Sequence, residues 1–337
     1  MNKQRCISKN SMPLIHIGMP KTATKTLQWR LFSQHREIFY LGRYDGPQFR
    51  KQYRKYDACR NTEVQTLMHE IAYSRVVHPD FDKCTALLKK ILEPAQEKHL
   101  IPVWSWESYA TDSLGKRRMR ARNLKRVFGR AKILMVLRNP VSLLESAFLQ
   151  QLKRDNVGPG ARSFRGPFFC SIDDWVRREW RTNVKQHLEY AETIRVYVDH
   201  FGVENVHVRL FEELLADSRK FFEDICVLLD VNSEEGLRLV SGKQDNTRWT
   251  QHQLQTLQAV HQSPLKCLRF RFANRKTRRE MLGLDSGGAP AIVGPKTRVR
   301  ISGPWRKKIM QSTRQGNQWL VQLFNLPLQQ YGYFEGE

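Results

Sequence analysis

The sequence predicts an α/β protein in which a mostly parallel central sheet is flanked by helices and followed by a helix-rich C-terminal part. Short apolar runs of strand length alternate with longer segments of helical periodicity. Strands are predicted at 13–18, 38–41, 100–104, 131–137 and 205–210. Helices are predicted from 24 onward and at 62–75, 82–98, 114–128, 141–153 and 183–200. In such sheets ligands bind at the carboxyl ends of the strands.

Length and composition favour a globular protein with a substantial core. The chain has 337 residues, of which 40% are hydrophobic. We expect an N-terminal tail at 1–12 and a single domain at 13–337, with a mobile Gly/Pro-rich loop at about 156–168. The six cysteines form no CxxC pair, which argues against a zinc or thioredoxin-type motif. With neither a signal-peptide pattern nor an apolar run long enough for a transmembrane segment, we expect a cytoplasmic protein.

The charge is strongly positive, at +24. Such an excess predicts attraction to anions, which include nucleotides, acidic polymers, nucleic acid and lipid head groups. The segments 116–126 and 269–279 concentrate this charge. A solvated helix face and an anion-binding surface both fit these segments.

The segment 18–26, GMPKTATKT, joins the first predicted strand to the first predicted helix. A turn of this kind presents backbone N–H groups, and the helix dipole adds positive potential. Side chains with ammonium or hydroxyl groups follow at nearly every step: Lys21, Thr22, Thr24, Lys25 and Thr26. This combination predicts a site for phosphate or sulfate oxygens.

The segment is not a Walker A loop. When Lys25 and Thr26 are aligned with the Lys-Thr pair of that motif, Met19 and Thr24 stand where glycines are required. A nucleotide hydrolase also needs an acidic residue on a second strand to hold magnesium. The strongest second strand ends instead at Arg138. The sequence therefore favours an anion site whose cations come from the protein.

The run 16–28, HIGMPKTATKTLQ, resembles the 5′-phosphosulfate loop of sulfotransferases that use 3′-phosphoadenosine-5′-phosphosulfate (PAPS), especially the bacterial group. Ala23 replaces the usual Gly of that loop, and Lys25 replaces the usual second Thr. We expect Ala23 to be tolerated if its φ is negative.

A second motif, Arg138-Asn-Pro followed by Ser146, resembles the family's 3′-phosphate motif. A guanidinium makes forked bonds to phosphate. Weaker similarity continues at 201–214 and 317–333.

The resemblance implies the P-loop-like sulfotransferase fold and transfer of a sulfuryl group from PAPS to an acceptor hydroxyl or amine by in-line displacement. The product would be adenosine 3′,5′-bisphosphate, and no metal would be required. Lys21 would stabilise the leaving phosphate, while Arg138 and Ser146 would hold the 3′-phosphate. The other cofactor-binding residues implied by the loop are Thr22, Ala23, Thr24, Lys25 and Thr26.

Glu107 is the candidate general base. It follows the strand predicted at 100–104, at the edge where the loop and Arg138 are expected. Trp104 and Trp106 flank it and are suited to exclude water. An ordinary surface glutamate remains the alternative, and His16 is expected to be a packed core histidine.

The sequence leaves the acceptor and the adenine site open. A carbohydrate or polysaccharide hydroxyl is the preferred acceptor, followed by a lipid-linked or small molecule. The segments 241–243 and 294–298 are both candidates for adenine recognition. A kinase or NTPase with a degenerate loop and a basic nucleic-acid-binding protein are the alternatives. No nucleic-acid-binding signature supports the second, so no nucleic-acid partner is expected.

Overall fold

The computed structural model describes residues 12–42, 61–73, 79–158, 168–241, 249–284, 295 and 297–335. The chain divides into two compact units. The first contains the described residues up to Asn139, those from Lys185 to 241 and those from Thr313 onward. The second contains those of Pro140–Val184 and those from 249 to Ser312. The predicted tail lies almost entirely outside the described residues, as does most of the predicted loop at 156–168.

A parallel sheet organises the first unit. Its described strands are β1 (Leu14–Gly18), β2 (Ile38–Gly42), β3 (Ile101–Ser105), β4 (Lys132–Leu137) and β5 (Val206–Leu210). Their order is β2-β3-β1-β4-β5, and every neighbouring pair is parallel. The predicted α/β class and parallel sheet are therefore confirmed. All five residues of β1 are buried, so both faces of the sheet are covered at its centre.

The helices follow the predicted alternation, with differences in detail. The first half of the chain contains α1 (Thr24–Thr26, continued by a π-helical turn Leu27–Phe32), α2 (Thr62–Met68, continued by His69–Tyr73), α3 (Phe81–Glu97), α4 (Leu114–Phe128) and α5 (Pro140–Val157). Side-chain caps start two of them, because Asn61 accepts from the Val64 amide and Asp80 from the Lys83 amide. The π-helical turn after α1 was not predicted.

The C-terminal half is rich in helices, as predicted. It contains α6 (Ile172–Glu179, continued by Trp180–Val184), α7 (Lys185–Leu188), α8 (Tyr190–Phe201), α9 (Phe211–Ala216), α10 (Ser218–Leu229), α11 (Ser233–Val240), α12 (Gln251–Gln262), α13 (Pro264–Phe272), α14 (Arg275–Met281) and α15 (Gly303–Phe324). Helix α6 was not predicted, and the helix predicted at 183–200 is interrupted at Glu189. None of the helices in the described ranges is long and apolar enough to cross a bilayer.

One hydrophobic cluster fixes α1 against the sheet. Leu31 and Phe32 of the π-helical turn are fully buried with Leu14 of β1, Val103 of β3 and Phe221 of α10. Burial of each such side chain is worth about 1.5–3 kcal/mol. Strand β1 and the π-helical turn after α1 are thus both anchored in one core, which restricts the loop that connects them.

Helix α4 uses part of its charge to hold the fold together. The Arg117 side chain is fully buried, forms an ion pair with Glu189 and donates a hydrogen bond to the Thr193 hydroxyl. Arg120 is also buried and donates to the Ala72 and Ser108 carbonyls. Neither interpretation of the segment 116–126, solvated face or anion-binding surface, applies to these two arginines.

Candidate active site

Three chain segments meet where β1, β3 and β4 end. The Met19 amide donates to the Val136 carbonyl at 3.0 Å, which joins the loop after β1 to β4. The Trp106 amide donates to the His16 carbonyl, also at 3.0 Å, which joins the segment after β3 to β1. The parallel order of the strands therefore brings the 18–26 loop, Glu107 and Arg138 to one edge.

The loop backbone contains two non-glycine residues in the left-handed region. Lys21 has φ 69° and Ala23, directly before α1, has φ 60°. The condition under which Ala23 was expected to be tolerated, a negative φ, is not met. A left-handed residue other than glycine costs about 1–2 kcal/mol, so the surrounding contacts must impose this shape. Left-handed residues within a turn create the concave N–H arrangement that binds anions.

Hydrogen bonds inside the loop hold that shape. The hydroxyls of Thr22 and Thr24 both donate to the Met19 carbonyl, at 2.5 and 3.0 Å. Both threonines are buried. The Thr26 amide donates to the Ala23 carbonyl at 2.9 Å and starts the helix. The hydroxyl hydrogens of Thr22 and Thr24 are thus engaged within the loop itself.

Arg138 contacts the loop directly. Its Nη1 donates to the Lys21 carbonyl at 2.9 Å, and its guanidinium lies 4.6 Å from the centre of the Phe211 ring. The side chain is 7% exposed. The two motifs, 117 residues apart in sequence, are therefore in contact at one edge of the sheet.

A hydrogen-bonded clamp, formed by Asn139, Glu212 and Tyr333, holds the turn after Arg138. Glu212 accepts from the Asn139 amide and from the Tyr333 hydroxyl, both at 2.9 Å. The Asn139 side chain donates to the carbonyls of Tyr331 and Gly332. Burial and the nearby Glu212 carboxylate raise the pKa of Tyr333 well above its usual range, which keeps it a donor. Glu212 and Tyr333 lie in the two segments of weaker family similarity, for which the sequence predicted no role, whereas Asn139 belongs to the Arg138 motif.

The remaining predicted residues occupy distinct surroundings. The Lys25 ammonium lies 4.8 Å from the centre of the Trp29 ring, an arrangement that suits a cation–π contact. Ser146 lies on α5, in the second unit, and is half-buried. Of the adenine candidates at 241–243 and 294–298, residues 242, 243, 294 and 296 lie outside the described residues.

Glu107 opens the 3₁₀ turn Glu107–Tyr109 and is half-buried. Its backbone packs against Gly18, because a Cβ at Gly18 would lie 3.2 Å from the Glu107 carbonyl oxygen. Gly18 also has φ 121°, so glycine is required at this contact. The flanking Trp104 and Trp106 are both buried.

His16 is buried beneath the loop and confirms the prediction of a core histidine. Its Nδ1 lies 2.6 Å from the Ser105 hydroxyl, which also accepts from Gln28 Nε2 at 2.9 Å. Complete burial lowers the pKa of His16 from 6.5 to about 3. The imidazole is therefore neutral at neutral pH, and so weak a base is poorly suited to proton abstraction.

The fold and the site define a parallel α/β protein that gathers Lys21 and Arg138 at the carboxyl edge of its sheet. The model of the sulfotransferase family matches residues 13–235, which is more than half of the chain. The chain therefore belongs to the sulfotransferase family.

Solved structures show more distant similarity. A sulfotransferase from Alicyclobacillus acidocaldarius is 19% identical, with 82% of this chain and 98% of that chain covered and a TM-score of 0.45. The sulfotransferase domain of the Synechococcus PCC 7002 olefin synthase is 14% identical, with 84% and 100% covered and a TM-score of 0.39. No curated protein matches the sequence.

Proposed function

We propose that the protein transfers a sulfuryl group from PAPS to a hydroxyl or amine of an acceptor, preferably a carbohydrate or polysaccharide, by in-line displacement. The contact between the Arg138 guanidinium and the Lys21 carbonyl carries this proposal. It joins a loop suited to one phosphate-like group with a guanidinium suited to a second. PAPS has anionic groups at both its 5′ and 3′ positions.

The loop residues fit the 5′-phosphosulfate. Lys21 and Ala23 shape the concave backbone, and the Lys21 ammonium is the group we assign to the leaving phosphate. Because the Thr22 and Thr24 hydroxyls donate to Met19, we assign these two residues to binding through their backbone N–H groups. We assign supporting roles to Lys25 and Thr26, which follow at the start of α1. When bound, PAPS supplies the sulfuryl group.

Arg138 is assigned to the 3′-phosphate, together with Ser146. For Arg138 the support is its burial beside the loop and the clamp that holds the turn behind it. For Ser146 the support is the motif spacing. With Lys21 and Arg138 as the cations, the proposal requires no metal ion.

Glu107 is the residue that we assign as general base. Its backbone contact with Gly18 places it beside the first residue of the loop. A carboxylate at this edge is suited to accept the proton that the acceptor hydroxyl loses. His16 is neutral and buried, which favours Glu107 over it.

Binding of adenosine 3′,5′-bisphosphate without magnesium tests the cofactor site. We expect titration calorimetry in EDTA to show binding, and Arg138→Ala to weaken it about 100-fold, because a buried charge-assisted contact is lost. Arg195→Ala, at an exposed arginine beside Trp319, is the matched control and should bind normally. A strict magnesium requirement would favour the kinase alternative, and normal binding by Arg138→Ala would contradict the assignment.

A panel of acceptors tests the reaction. Incubation with radiolabelled PAPS and glycans, lipids and phenols should transfer label to a glycan if the preferred acceptor class is correct. The net charge of +24 supports an acidic glycan over a neutral one. Label on lipids or phenols alone would exclude the carbohydrate preference, and label on no acceptor, together with salt-sensitive binding to nucleic acid, would favour the basic nucleic-acid-binding alternative.

A further inference from the structure

Helix α13 of the second unit exposes a stripe of large apolar side chains. Leu265 is 81% exposed, Leu268 55% and Phe272 70%. At about 100° per residue, their spacing of three and four places them on one face of the helix. Phe270, on another face, is fully buried and anchors the helix. Single exposed apolar residues are common, but three in one stripe indicate an interaction surface.

Cations border the stripe on both sides. The same helical geometry places Lys266 and Arg269 on one side of it and Arg271 on the other, and all three are exposed. Helix α14 adds the exposed Arg275 and Lys276. Within 264–281 the sequence has seven Lys or Arg residues and one acidic residue. We call α13 and α14 with these side chains the basic apolar surface.

Hydrogen bonds within the chain hold the basic apolar surface in shape. The buried guanidinium of Arg278 in α14 donates to the carbonyls of Phe270, Arg271 and Ala273 at 3.0–3.1 Å. These are carbonyls at the C-terminal end of α13, where helices otherwise lack intrahelical partners. The Ser263 hydroxyl accepts from the Lys266 amide at the other end. Both ends of α13 are therefore capped, and the stripe is presented on an ordered helix.

We propose that the basic apolar surface binds anionic lipid bilayers. Helix α13 would lie in the membrane interface, with Leu265, Leu268 and Phe272 at the boundary of head groups and acyl chains. The flanking cations would meet the lipid phosphates and carboxylates. Charge complementarity selects this occupant over a second copy of the chain, because two copies would bring like charges together. The inference is independent of the proposed function.

Vesicle sedimentation with the full chain tests the proposal. We expect binding to vesicles of phosphatidylcholine with phosphatidylserine, little binding to phosphatidylcholine alone, and weaker binding as salt rises. Leu268→Ser with Phe272→Ser should weaken binding about tenfold, because apolar area is lost. Lys266→Glu with Arg269→Glu should weaken it by about tenfold or more. Val227→Ser, at a 72% exposed valine on α10, is the matched control and should bind normally.

The results of these experiments distinguish a lipid bilayer from other occupants of the basic apolar surface. Unchanged thermal unfolding of each variant would show that the fold survives. Failure of the wild-type chain to bind anionic vesicles at low salt would overturn the proposal. Normal vesicle binding by the double-serine variant would also overturn it, because attraction of charge alone would remain. A dimer that becomes monomeric in this variant would assign the surface to self-association, and tighter binding to polyglutamate than to vesicles would assign it to an acidic protein.

Discussion

At the scale of one residue, Ala23 has a backbone conformation that differs from the one alanine intrinsically prefers. Alanine disfavours the left-handed region because its Cβ approaches the backbone, yet Ala23 has φ 60°. The Thr22 and Thr24 hydrogen bonds to Met19 and the helix that starts at Thr24 hold it there. Strain of this kind is typical of ligand-binding loops, where the fold imposes the conformation.

Replacement of Ala23 by glycine should stabilise the protein. Glycine adopts φ 60° without steric penalty. Relief of this backbone strain should outweigh the larger conformational entropy of glycine in the unfolded chain, which gives a net increase of about 0.5–1 kcal/mol in the free energy of unfolding. Urea unfolding should show a higher midpoint for Ala23→Gly. The control Ala121→Gly, inside α4, should lower the free energy of unfolding by about 1 kcal/mol. A lower midpoint for Ala23→Gly would contradict the imposed conformation.

Glu107→Gln should separate catalysis from binding. If Glu107 accepts the proton of the acceptor, its loss should lower turnover about 100-fold or more. Binding of adenosine 3′,5′-bisphosphate, measured by calorimetry, should be unchanged because the residues that we propose to bind it are retained. Glu97→Gln, at an exposed position that ends α3, should keep full turnover. Full turnover in Glu107→Gln would exclude Glu107 as the base.

At the scale of elements, α4 shows that a basic segment can be structural. Arg117 connects it to Glu189, directly before α8, and Arg120 connects it to α2 and to the turn after β3. Because these guanidiniums are buried, they contribute no free positive surface. The number of cations in α4 therefore overestimates the positive surface that this helix can present to an anionic partner.

Removal of Arg117 should destabilise the fold strongly. Arg117→Ala removes a fully buried side chain together with its hydrogen bond to Thr193 and its ion pair with the partly exposed Glu189, and we expect a loss of about 2–4 kcal/mol in the free energy of unfolding. Lys116→Ala removes a neighbouring cation from an exposed pair with Asp112, and its effect should stay below about 1 kcal/mol. Denaturant titration of both variants gives the comparison. Similar losses would contradict the structural role of Arg117.

At the scale of the whole molecule, His16 links stability to pH. Burial lowers its pKa to about 3 in the folded protein, against 6.5 for the exposed group. The unfolded chain therefore binds a proton below about pH 6.5 that the folded chain does not bind. Stability falls as pH decreases through this window, and the loss is complete only below about pH 3.

Acid-dependent unfolding of His16→Gln tests this linkage. The wild-type chain should lose about 1.4 kcal/mol per pH unit from this group between about pH 6 and 3.5, in addition to other groups. Urea midpoints at several pH values should show a shallower slope for His16→Gln. The exposed His252→Gln should keep the wild-type slope. Equal slopes for wild type and His16→Gln would show that His16 titrates normally.

The sequence by itself determined the five strands in their order along the chain, the helices that separate them, the parallel sheet and the edge at which the loop and Arg138 meet. These follow from periodicity, because strand–helix–strand connections leave few topologies. It also indicated His16 as a core residue, which its burial confirms.

The tertiary structure decided the left-handed backbone conformation of Ala23, the burial of two arginines in α4 and the clamp behind Arg138. Asn139 meets Gly332 across 193 positions of sequence, and Glu212 meets Tyr333 across 121. No short-range pattern encodes such contacts, because each depends on where distant segments pack. The φ of Ala23 likewise follows from hydrogen bonds that oppose its intrinsic preference. Local sequence therefore specified the chemistry of the site, and long-range packing specified its shape.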